Sequence, residues 1–64
     1  MTKAELNKIL EIGSEIGLTF FEKAIEDGCN FENAKIIASF ALHNLGFKKL
    51  FIDSFLKNLK TINN

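Results

Sequence analysis

The sequence predicts an all-α domain, a small bundle of three amphipathic helices, and three observations predict it. Apolar residues recur at steps of three and four in three separate stretches. Helix punctuation bounds those stretches, with Thr2 and Asn30 placed as N-caps and Gly28 and Gly46 as stops. No proline occurs anywhere in the 64 residues, so nothing of that kind breaks a helix.

The spacing predicts a first helix over about Lys3 to Asp27. Thr2 can cap it, and Glu5 stands three residues later, the capping-box spacing. Leu6, Ile9, Leu10, Gly13, Ile16, Gly17, Phe20 and Ala24 form one apolar stripe. Glu11, Glu15, Glu22 and Glu26 fall on the opposite, solvent-facing side. Gly28 suits the left-handed position just past the helix end. Gly13 and Gly17 each cost ~1 kcal/mol relative to alanine inside a helix. Their place on the stripe points to a packing reason: two small residues four apart let another backbone approach closely. The alternative is a break between Gly13 and Leu18, which would make four helices.

Asn30 predicts the start of a second helix, Phe31 to Leu45, ended by Gly46. Its apolar residues cover most of the circumference, leaving Glu32, Lys35, Ser39 and His43 as a narrow polar seam. Such a helix is buried on several sides. A third helix is predicted over Phe47 to Thr61, with Phe51, Ile52, Phe55, Leu56, Leu59 and Ile62 on its apolar face. Lys49, Asp53, Lys57 and Lys60 make its polar face, and the last two suit the negative end of the helix dipole.

The whole chain, residues 1–64, reads as one domain. A chain this short buries only about 60% of the surface its unfolded form exposes, so its stability is marginal. An internal disulfide cannot form, because Cys29 is the only cysteine. Cys29 and His43 are the only soft ligands, too few for a structural zinc site, which takes about four. Close helix packing or association with another chain remains. The chain is 47% apolar and carries seven phenylalanines. Ile12, Leu18, Ile25, Ile36, Phe40 and Leu50 all lie off the main helix faces. This predicts a homodimer, packed through Gly13, Ile16, Gly17 and Phe20.

No catalytic apparatus is recognisable, and the chain is read as a non-enzyme without cofactor or metal. Cys29 precedes the second helix, but the only imidazole, His43, is expected about four turns away. Ser39 and His43 stand side by side at a four-residue spacing, with no oxyanion site or cleft evident beside them. Gly13, Gly17, Gly28 and Gly46 match neither phosphate-loop nor dinucleotide spacing. The glutamate row of the first helix reads as a solvated face.

Formal net charge is zero, which argues against a general nucleic-acid binder. The charge is nonetheless divided: residues 1–32 carry seven acids and three lysines, and residues 33–64 carry five lysines and one acid. Residues 34–60 have a helix-turn-helix outline with Lys48, Lys49, Lys57 and Lys60 on its basic side. Without arginine, that outline lacks the residue best suited to guanine and phosphate. A small DNA-binding regulator is therefore one alternative. A membrane-surface or bacteriocin-immunity-type protein is another, from the lysine-bearing, phenylalanine-rich third helix. No run of about 18 apolar residues predicts a membrane span. The N-terminal MTKAELNK has no leader pattern, and one free cysteine fits a reducing cytoplasm. All basic residues are lysine, and Asn, Ile and Phe are abundant. These A/T-rich-codon residues suggest a low-GC bacterium, its plasmid or its phage. The favoured reading is a small inhibitor or regulator from a phage or other mobile element, of the anti-defence or anti-CRISPR kind. It would act by binding a host protein through Lys49, Asp53, Lys57 and Lys60, with the acidic row of the first helix as a second contact surface.

Overall fold

A computed structural model describes residues 2–59 of the chain, and those residues form three α-helices and no strand. Helix α1 spans Lys3–Glu26, α2 spans Phe31–Asn44 and α3 spans Lys49–Asn58. The expected all-α architecture is what the chain adopts. Helix α1 is continuous through Gly13 and Gly17, so the four-helix alternative does not occur.

The helix ends follow from local chemistry. The Thr2 hydroxyl accepts the Glu5 N–H at 3.1 Å, while the Glu5 carboxylate accepts the Thr2 N–H at 2.8 Å. This reciprocal box satisfies two donors that the helix start would leave unpaired. Asn30 Oδ1 accepts the Asn33 N–H at 2.8 Å and caps α2 in the same manner. Both glycine stops are Schellman turns. At the first, Gly28 has φ +101°, its N–H donates to Ile25 O, and the Cys29 N–H donates to Ala24 O. At the second, Gly46 has φ +95°, its N–H donates to His43 O, and the Phe47 N–H donates to Leu42 O. The second turn consumes Phe47, so α3 begins at Lys49 rather than at the expected Phe47. The expected end of α3 at Thr61, together with Ile62, lies outside the described residues.

Helix α2 runs back along α1, which brings Leu42 beside Gly17 and sets the Phe31 ring edge-on to Phe21 at 5.5 Å. Ala34 and Ala38 are fully buried at this contact, so two small side chains let α1 and α2 approach closely. Helix α3 then travels in the same sense as α1: Phe47 and Phe51 stand over Gly13, and Phe55 stands over Gly17. The core is small, with Phe21, Ala24, Ala34, Ala38, Leu42 and Ile52 as its buried apolar residues. Cys29, Phe31, Phe55 and Leu59 pack against it from the sides.

Leu6, Ile9 and Phe20, three residues of the expected apolar stripe, are exposed. The buried stripe of α1 is Gly13, Gly17, Phe21 and Ala24, and Phe20 lies outside it, 45% exposed. Steps of three or four from Gly17 reach either ring of the adjacent pair, and the ring that meets Phe31 is Phe21.

Candidate interaction surface

Gly13 and Gly17 do not hold a second backbone, as their spacing alone suggests. They form seats for aromatic rings of the same chain. A Cβ built at Gly13 would lie 2.5 Å from Phe47 Cε1 and 3.0 Å from Phe51 Cζ. One built at Gly17 would lie 2.7 Å from Phe55 Cζ and 3.1 Å from Leu42 Cδ1. Both positions are buried beneath α3, so the two glycines drop out of the expected dimer contact. Ile16, half-buried, and Phe20, exposed, remain on the open side of α1.

Lys49, Asp53 and Lys57 all lie on the exposed side of α3. Lys49 Nζ donates to Asp53 Oδ2 at 2.8 Å, one helical turn along. That hydrogen bond, together with the attraction of the carboxylate, raises the Lys49 pKa. Lys60 falls outside the described residues. The acidic row Glu11, Glu15, Glu22 and Glu26 is exposed on α1, away from this cluster.

Beside the Lys49–Asp53 pair, an open groove of about 440 Å³ runs between α2 and α3. Its walls are Ser39, Phe40 and His43 from α2, and Lys49, Ile52, Asp53 and Leu56 from α3. Ile52 is buried and Leu56 half-buried, which gives the groove an apolar floor. Phe40 stands at its edge with 63% of its surface exposed. The polar seam of α2 and the charged face of α3 thus meet across one cleft. The charge pattern alone did not show that Phe40, Ile52 and Leu56 belong beside Lys49 and Asp53. The available signal was the seam itself, since Phe40 stands three residues before His43 and so shares its side of α2.

The polar groups of this cleft are satisfied within the chain or open to solvent. The Ser39 hydroxyl donates to the Ile36 carbonyl at 2.7 Å rather than to His43. Among the described residues, no cluster of three or more His, Cys, Asp or Glu side chains could hold a metal ion. No described helix is long and apolar enough to cross a membrane. What the site does offer is an aromatic edge, an apolar floor and a charged rim, the composition that recurs at protein interfaces. Comparison with protein-family models, with curated proteins and with solved structures finds no match to this chain. The fold defines the chain as a small all-α protein with uncovered apolar surface.

Proposed function

We propose that this protein is a non-enzymatic protein–protein interaction module that inhibits or regulates a cytoplasmic partner by seating on it through the α2–α3 groove. The observation that carries the reading is Phe40, a large aromatic side chain left open at the lip of an apolar cleft. Aromatic residues placed so contribute a disproportionate share of binding energy once a partner excludes water from them. The Lys49–Asp53 pair supplies direction and partner discrimination more than affinity. Size, lysine-only basic composition and the absence of a recognisable reaction centre favour a phage or mobile-element inhibitor that acts by occupancy.

The test is capture of host proteins by the tagged chain, read by mass spectrometry, beside Phe40→Asp, Lys49→Glu and Glu15→Lys variants. Phe40 and Lys49 are exposed, so the variants should keep their helical circular dichroism. The expected result is one partner held by the wild type and Glu15→Lys, and lost or strongly reduced with Phe40→Asp and Lys49→Glu. Capture that ignores both groove variants contradicts the assignment. Tight binding to DNA at low salt, lost with Lys49→Glu, would move the reading to nucleic acid.

A further inference from the structure

We infer that the outer face of α1 pairs antiparallel with α1 of a second copy, in a register centred on residue 14. On the side of α1 turned away from α3, one stripe reads Glu5, Ile9, Ile12, Ile16, Phe20 and Lys23. Ile12 is 43% exposed, Phe20 is 45% exposed and Ile9 is exposed as well. Ile37 of α2 and Leu45 at its C-cap are exposed as well.

Charge selects the occupant. The stripe carries an acid at its N-terminal end, a base at its C-terminal end and apolar side chains between. Glu5 and Lys23 are equidistant from residue 14, as are Ile12 and Ile16. A two-fold axis at that level sets Ile12 against the partner's Ile16 and Ile9 beside the partner's Phe20. It also brings Glu5 to the partner's Lys23 at both ends of the contact. Such a surface is complementary to itself when antiparallel, as an isologous dimer requires. A parallel pairing would oppose Glu5 to Glu5 and Lys23 to Lys23. Lys23 is available for this role: its only ion pair among the described residues, with Asp27, is long at 3.7 Å and solvent-exposed. Both phenylalanine-lined glycine seats stay inside each copy, and the α2–α3 groove of the preceding section remains open.

Sedimentation velocity on the full chain across micromolar to near-millimolar concentrations tests this pairing. The wild type should pass reversibly from monomer to dimer, and Ile12→Glu should stay monomeric with unchanged helical circular dichroism. Glu5→Lys and Lys23→Glu should each weaken the dimer roughly tenfold, because each replaces two attractions with two repulsions. An equimolar mixture of those two variants should bind more tightly than either alone, since each end then pairs opposite charges. A wild type that is monomeric throughout overturns the proposal. So does a dimer indifferent to Ile12→Glu, or a mixture no stronger than its components. None of these results bears on capture of a partner at the groove.

Discussion

A methyl group added at Gly17 would press on both Phe55 and Leu42, and Leu42 is fully buried with nowhere to move. Alanine gains ~1 kcal/mol of helix propensity there, while overpacking costs roughly 1–3 kcal/mol. Gly17→Ala should therefore lose about 1 kcal/mol in urea unfolding. Gly17→Leu should lift α3 from α1 and cost considerably more. At Gly13 the neighbours are the far ends of two half-buried rings, Phe47 and Phe51, which can swing aside, so Gly13→Ala should fall closer to neutral. The cap at Thr2 is worth about 1 kcal/mol by analogy with other threonine caps, and Thr2→Ala measures it. It also sets an acid limb. Glu5 has a lowered pKa because its carboxylate accepts the Thr2 backbone N–H, aided by the Thr2 side chain. Its stabilisation is complete above the ordinary glutamate value of about 4.3 and is lost as pH falls through the depressed folded value. Lys49 works in the opposite sense, complete below about 10.4 and lost as pH rises through its raised folded value. Both groups are exposed, so salt should flatten both limbs. Thermal melts at stepped pH check these signs, and Glu5→Gln should remove the acid limb while leaving the alkaline one.

At the scale of elements, α3 is the lid that completes the bundle. It offers one short helix and, among the described residues, one buried residue, Ile52, and it holds α1 chiefly through phenylalanines seated on glycines. Truncating a partly buried ring that fills such a seat leaves a void, so Phe55→Ala should cost about 2–3 kcal/mol. Leu50, 85% exposed on the same helix, should tolerate Leu50→Lys within about 0.5 kcal/mol. Equal losses at the two positions would contradict this packing. Helix limits were legible from the sequence wherever cap chemistry is local, as at Thr2–Glu5, Asn30, Gly28 and Gly46. The start of α3 was not, because the Phe47 N–H is taken by the Leu42 carbonyl in closing the Schellman turn. The choice between Phe20 and Phe21 was equally illegible, since both satisfy helical spacing and only the arrival of Phe31 decides. What fills the glycine seats depends on contacts some thirty residues distant in the chain, beyond any periodicity argument.

The whole molecule is shaped by a mismatch of lengths. Helix α1 has 24 residues and α2 has 14, or roughly 36 Å against 21 Å at the α-helical rise. The first turns of α1 therefore project past their neighbour, and Leu6 and Ile9 are exposed there. Ile12, Leu18, Ile25, Ile36, Phe40 and Leu50, which the sequence places off the main faces, are all exposed too. The α2–α3 cleft combines residues that helical spacing places on separate faces, and only the tertiary fold joins them. A core whose only fully buried large side chains among the described residues are Phe21 and Leu42 gives a modest stability on its own. Association with a second copy would add to it by mass action, because the folded state binds and the unfolded state does not. The most direct measurement is the thermal midpoint, followed by circular dichroism, as protein concentration rises a hundredfold from the low micromolar range. A midpoint that climbs steadily with concentration, and stops climbing in Ile12→Glu, is the predicted result. A midpoint that stays constant over that range would show that these apolar faces stabilise nothing by meeting, and would contradict the account.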